Sequence, residues 1–230
     1  MSEPLDNPGW HALTGPHAQF AFGRGAARHY PRDIAPFSAI AEPTSAAYSD
    51  LAADLPPESE ARLFRPTDEA IPPAWEAISA RPIVQMVADD ATSEPAATDA
   101  IVPLGETDAD EMLALAEATR PGPFGRRTVL LGRYLGIRRE GRLVAMAGER
   151  FRLPGYVELS AICVHPDFRG LGFGSGLTQY LTHRARVRGE TSFLHVFPEN
   201  PAMMVYARLG FRERARLWVL WRRPRIELLQ

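Results

Sequence analysis

The sequence contains no lysine: all 26 basic residues among its 230 are arginine. That excludes the Walker phosphate loop, which places a Lys ahead of Ser or Thr. It also means that the chain has no lysine side chain to offer as an amine. The single cysteine, Cys163, excludes an internal disulfide framework and gives no reason to expect secretion. No apolar run reaches the about 18 residues of a membrane span, and no charged segment leads into an apolar one at the N-terminus. The expectations are a cytoplasmic location and no membrane partner. A strong charge of one sign is also missing. The net charge of −2 argues against a nucleic-acid partner, since such proteins are normally basic. His165 and His195 show no metal-ligand spacing, so no metal is expected. What is present is 45% apolar and 23% charged residues, as in a soluble globular protein of one large or two small domains.

One stretch organises the rest: Val164–Leu177, VHPDFRGLGFGSGL. The β-rich run Tyr156–Val164 leads into it, and a helical pattern over Gly174–Arg188 leaves it. Between them, Arg169, Gly170, Leu171, Gly172, Phe173, Gly174 and Ser175 form a loop whose glycines allow tight turns and close backbone approach. A helix start leaves its first N–H groups without intrahelical partners and carries the positive end of the dipole. A strand, such a loop and a helix therefore suit a pyrophosphate. The dinucleotide fingerprint G-x-G-x-x-G is a near miss, because Ser175 or Leu177 stands where Gly or Ala is needed. Only 53 residues follow Leu177, too few for the large parallel sheet which that fingerprint opens.

Arg169, Gly172 and Gly174 match R/Q-x-x-G-x-G/A after a bulged strand. Asn200, Tyr206, Gly210 and Phe211 form a second block, in HVFPENPAMMVYARLGF. In both blocks the chain resembles the GNAT superfamily of acyl-CoA-dependent N-acyltransferases, over roughly residues 98–222. The resemblance implies an α/β fold: a mixed, mostly antiparallel sheet flanked by helices and splayed where CoA enters after Val164. It implies acetyl-CoA as co-substrate and direct attack by a small-molecule, peptide or protein amine, with a homodimer as an allowed assembly. By the same resemblance the backbone of Arg169–Ser175 holds the pyrophosphate, and that of Ile162, Cys163 and Val164 pairs with pantetheine.

The expected division is a smaller α+β region over 1–92, by analogy a reduced GNAT-like half, and an acetyltransferase domain over 98–230. Residues 1–15 read as an arm or short cap. Phe20 and Phe22 suggest an extended run before a turn at Gly23-Arg24-Gly25, and Ser45–Leu55 a helix ended by Pro56-Pro57. Ala61–Arg65 and Trp75–Val87 read as extended, and Asp89–Asp99 as an acidic linker. Further on, strands are expected at Ile101–Leu104, Thr128–Arg138, Arg142–Arg152, Thr191–Phe197 and Phe211–Trp221. Thr107 is the expected cap of a helix with Met112, Leu115 and Ala116 inward. On Tyr156–Val164, simple alternation places Tyr156, Glu158, Ser160, Ile162 and Val164 on one face. The helix after the loop places Leu177, Tyr180, Leu181 and Val187 inward and ends at Gly189.

Tyr206 is the candidate general acid, since phenol and thiol differ by about 1.5 pKa units in reference peptides and the resemblance places a Tyr near the sulfur. Otherwise it is a packed aromatic on an amphipathic helix. By the same resemblance, Glu158 on the strand before the loop is the candidate base or water-ordering carboxylate, with Glu149 as the alternate; either also suits a salt bridge in an Arg-rich chain. Asn200 contacts CoA or caps a helix that begins at Pro201. Cys163 reads as a buried small hydrophobe. The rival to an enzyme is a GNAT-like module that binds acyl-CoA or a partner without turnover. A nucleotide-dependent oxidoreductase is a third class, disfavoured by the glycine spacing.

Overall fold

A computed structural model describes residues 3–89 and 101–225. Two compact units form. One comprises Met1–Arg32, Pro36–Ile83 and Arg216–Gln230, the other Asp33–Ala35 and Val84–Ala215. This division departs from a single linear boundary near residue 92, because the last strand returns to pair within the first unit. Most of the expected linker lies outside the described residues.

The first unit holds α1 (Pro8–Leu13), β1 (Ala27–His29), β2 (Ser38–Ile40), α2 (Ser45–Asp54) and β3 (Ala61–Arg65). It also holds the first part of β4 (Trp75–Ala88). The N-terminus is not a loose arm. Pro8 starts a helix, Leu5, Ala12 and Leu13 are buried, and Asn7 donates to the Ile40 carbonyl at 2.8 Å. Thr44 caps α2 by accepting from the Ala47 N–H at 3.1 Å. Tyr48, Leu51, Leu63, Trp75 and Leu220 lie in its core.

The second unit follows with β5 (Ile101–Leu104), α3 (Ala109–Thr119), β6 (Tyr134–Arg139), β7 (Arg142–Leu153) and β8 (Tyr156–Val164). Then come α4 (Phe173–Val187), β9 (Thr191–Val196), α5 (Ala202–Arg208) and the start of β10 (Phe211–Pro224). The later part of β10 pairs antiparallel with β3, Trp218 opposite Arg65. Gly105 rather than Thr107 precedes the α3 turn, with Asp108 Oδ2 accepting from the Gly105 N–H at 2.9 Å. Thr128–Leu131 is a 3-10 turn, so β6 starts only at Tyr134.

In this unit the strand order is β4-β9-β8-β7-β6-β5. Only β8 and β9 run parallel; the other neighbours are antiparallel. This is the expected mixed, mostly antiparallel α/β sheet. One face packs Leu135, Val144, Leu159 and Val196 against Leu177 and Leu181 of α4. The other packs Tyr134, Leu143, Met146 and Cys163 against Met112, Leu115 and Ala116 of α3. Val187, expected inward, is exposed at the last turn of α4, beyond the fully buried Ala185. Gly189, with φ +75°, ends that helix as expected.

Candidate active site

Strand β8 is straight in sequence pattern but not in space. Ala161 has φ +52°, and the β7–β8 register steps from Met146 opposite Cys163 to Gly148 opposite Ser160. Three residues of β8 span two of β7, which is a bulge. Simple alternation therefore fails. Leu159, Ile162 and Val164 face the α4 cluster, while Ala161 and Cys163 face the α3 cluster.

The bulge sits where the sheet opens. Strands β8 and β9 pair at Tyr156–Thr191, Val157–Ser192 and Glu158–Phe193. Beyond that point β8 continues along β7 as far as Val164, opposite Ala145, while β9 continues along β4. The two strands diverge into a fork between Ser160–Val164 and Leu194–Val196. This is the expected splay.

Past the fork, His165 N–H donates to the Val144 carbonyl and a 3-10 turn at Pro166–Phe168 leads to the loop. Gly170 (φ +77°) and Gly172 (φ +79°) adopt left-handed conformations that disfavour any side chain. No atom lies within 4 Å of a Cβ built on either, so it is the turn that demands glycine, and the outer side of the loop is open. The first bond into α4 runs from the Gly176 N–H to the Gly172 carbonyl at 2.9 Å. The N–H groups just before it begin the helix without intrahelical acceptors. Gly174 would carry a Cβ 3.5 Å from Val164, so loop and strand are in near contact. Arg169, Leu171, Phe173 and Ser175 complete this turn. The Arg139 guanidinium covers the Phe173 ring at 4.9 Å, and Arg142 donates to His165 Nε2 at 2.9 Å. Arg126, Arg127 and Arg138 are ion-paired to Asp110, Asp33, and Asp108 with Glu111, respectively.

Tyr206 lies on α5. Its ring meets Phe211 edge-on at 6.2 Å and packs on the α4-side cluster. Burial pushes its hydroxyl up to about 12, and the Cys163 thiol nearby acts in the same direction. Cys163 itself is raised to about 11 by burial, although Thr119 bonds its sulfur. Burial thus favours the protonated form of both the phenol and this thiol. Asn200 Oδ1 accepts from the Ala202 N–H at 2.9 Å, so it caps α5.

Glu158, read from sequence as a base, is sealed. Its side chain is 0% exposed, and Arg150 grips it with Nε–Oε2 at 2.7 Å and Nη2–Oε1 at 2.6 Å. His195 Nδ1 approaches Oε1 at 2.6 Å from across the mouth of the fork. Burial alone would raise this carboxyl, but Arg150 and His195 outweigh it and hold it at about 2. The tautomer of His195 follows from its other neighbour. Arg214 donates to Gln85 Oε1 at 2.9 Å, which turns Gln85 Nε2 toward His195 Nε2 at 3.1 Å. Nε2 then accepts, and Nδ1–H donates to Glu158. Burial lowers the His195 pKa, which keeps the ring neutral. Glu149 is no freer: it is 2% exposed, bonded to Arg188 at 2.6 Å, and accepts from the Arg133 N–H at 3.3 Å.

Sequence reasoning missed Arg150, His195 and Gln85 as one polar chain. Their spacing of 8, 37 and 110 residues from their partners carries no local signal. Among the described residues no His, Cys, Asp and Glu group could hold a metal. No helix among them is long and apolar enough to cross a membrane.

Residues 134–219 match the family described as FR47-like protein. The fold is similar, at TM-score 0.89 and 36% identity, to a structure described as a putative acetyltransferase of the GNAT family, from Novosphingobium aromaticivorans DSM 12444, covering 97% of this chain and 99% of that one. A GCN5-related N-acetyltransferase from Kribbella flavida shares the fold at TM-score 0.62 and 18% identity, over 94% of this chain and 95% of that one. An acetyltransferase of the GNAT family from Colwellia psychrerythraea gives 0.52 and 19%, over 63% and 57%. No curated protein matches the sequence. With 36% identity across nearly the whole length, on a sheet that forks at a bulge beside a glycine loop, this chain belongs to the GNAT family.

Proposed function

We propose that the protein moves an acetyl group from acetyl-CoA to a primary amine by direct attack in a ternary complex. The observation that carries this is the forked end of β8, opening onto a left-handed glycine loop at the start of α4. The backbone of Arg169–Ser175 receives the pyrophosphate on helix N–H groups. Ile162, Cys163 and Val164 line the fork, where an extended pantetheine arm replaces the ladder that β9 no longer supplies. Asn200 holds the turn into α5, and through it the position of Tyr206.

The amine nitrogen bonds to the carbonyl carbon as the C–S bond breaks. Tyr206 gives a proton to the departing sulfur, the two groups differing by about 1.5 pKa units in reference peptides. Glu158 keeps β8 and His195 in register and does not take the amine proton, because both its oxygens are occupied and its proton affinity is low. That proton leaves to solvent water. The acceptor class spans small-molecule, peptide and protein amines, and the reaction suits a cytoplasmic supply of acetyl-CoA.

Thermal unfolding with acetyl-CoA tests the reading, with NADH and ATP as controls. At about 100 times Kd a ligand adds about 2.7 kcal/mol, and the expected rise is roughly 5–10 °C with acetyl-CoA alone. No rise at millimolar acetyl-CoA overturns the reading. In an amine panel followed by thiol release, Tyr206→Phe is expected to lower kcat about 100-fold while acetyl-CoA affinity is kept.

A further inference from the structure

Tyr134 opens β6 and is 1% exposed, yet among the described residues its hydroxyl has no hydrogen-bond partner. Buried polar groups are almost always paired, so an orphan of this kind calls for an explanation. Its placement is not an accident of loose packing. Tyr134 stands opposite Gly148 on β7, and a Cβ at Gly148 would lie 2.2 Å from the Tyr134 ring. The missing side chain lets the ring cross the backbone of β7 toward β8. Phe124 packs against it edge-on at 5.8 Å.

Four groups act electrostatically on the hydroxyl: Arg150, Glu158, Glu149 and Cys163. Three of them are already committed, Arg150 and Glu158 to one another and Glu149 to Arg188. Cys163 is on the post-bulge segment that borders the fork, and it is the same thiol that acts on Tyr206. Tyr134 shares a cluster with Ala161 and Cys163 of that segment, and Tyr206 shares one with its Ile162 and Val164. Tyr206 belongs to the α4-side cluster and Tyr134 to the α3-side cluster. Tyr206 accounts for the sulfur of a thioester held there. The remaining atom that gains negative charge during transfer is the carbonyl oxygen.

We propose that the Tyr134 hydroxyl donates a hydrogen bond to the carbonyl oxygen of the acyl group being transferred, an assignment that rests on the acetyl-CoA reading above. As the amine nitrogen bonds to the carbonyl carbon, the C=O π pair moves onto oxygen and Tyr134 stabilises it without giving up its proton. The pair returns to re-form C=O as the C–S bonding pair leaves with sulfur, which Tyr206 protonates. A donor fixed in a dry site before the charge appears needs no reorganisation when it does. Burial raises the Tyr134 pKa, so the phenol remains a donor at every working pH.

The test compares wild type with Tyr134→Phe, which keeps the ring that fills the space over Gly148. Calorimetric titrations with acetyl-CoA and with CoA give the preference for the acylated form, and infrared spectra of carbonyl-¹³C acetyl-CoA read the carbonyl directly. In Tyr134→Phe the affinity for acetyl-CoA is expected to fall about five- to tenfold, as for loss of one hydrogen bond, with CoA affinity unchanged. The carbonyl stretch moves to higher frequency than in wild type. Unchanged preference with an unchanged stretch overturns the assignment while leaving acetyl-CoA as the ligand. Failure of wild type to bind either ligand overturns the acetyl-CoA reading, and this assignment with it.

Discussion

Replacing Glu158 by Gln removes one charge from the centre of a dry ion pair and leaves Arg150 behind. Arg150 then keeps a guanidinium whose side chain is only 10% exposed and loses its carboxylate contacts at 2.6 and 2.7 Å. The Gln amide also presents a donor where Arg150 and the His195 Nδ1–H both need an acceptor. The cost follows from the proton affinity of the native group. Glu158 is held at about 2 against an ordinary value of 4.5, a gap of about 2.5 units at about 1.4 kcal/mol each, or about 3 kcal/mol. Breaking a buried pair from one side costs about 3–5 kcal/mol in general, which agrees. For a chain of this length that is a fall of roughly 6–12 °C in Tm. The carboxylate's contribution is complete above about pH 4.5 and is lost as pH falls through about 2, because the unfolded chain takes up that proton first. Urea denaturation followed by circular dichroism at pH 7 should therefore show the full gap between wild type and Glu158→Gln, narrowing below pH 4.5. A variant within 1 kcal/mol of wild type at pH 7 refutes the claim that this pair holds β8 at the fork.

Cys163 should resist alkylation. With its thiol at about 11, roughly one molecule in a thousand carries the thiolate at pH 8, and iodoacetamide should modify the native protein at least 100-fold more slowly than the urea-unfolded chain. Gly172→Ala meets no neighbouring atom but must hold φ +79°, which costs about 1–2 kcal/mol. Acetyl-CoA titration should show about tenfold weaker binding with only a few degrees lost in Tm; an unaffected Kd would remove the left-handed turn from the binding site. Stability should also decline from about pH 6.5 downward, because His195 stays neutral in the fold and gains a proton when unfolded. His195→Gln should flatten that part of the curve of urea midpoint against pH.

The strand, loop and helix around Arg169–Ser175 were legible because local periodicity and glycine spacing determine them. The bounds of β3 and β8 were read to the residue for the same reason. The N-terminal helix was missed because its burial depends on Asn7 reaching Ile40, 33 residues away. Glu158 was read as available because alternation gives a face but not the occupants of that face. Only the antiparallel partner strand brings Arg150 alongside, and only the parallel one brings His195. Tyr134 left no sequence signal, since its meaning lies in a glycine on the neighbouring strand and in a partner it lacks.

The bulge at Ala161 acts as a parity switch. A strand is a two-colour pattern, and the doubled step at the bulge offsets the colours of everything downstream. Deleting Ala161 would restore one-to-one pairing and leave Ile162, Cys163 and Val164 on the faces they now hold. Keeping Ala161 but pairing it as an ordinary ladder residue would instead turn Ile162 and Val164 toward α3 and send Cys163 under Leu177 and Leu181. It would also exchange which amides point at β7 and which point into the fork. The left-handed turn at this one residue thus governs the reading frame of the cleft.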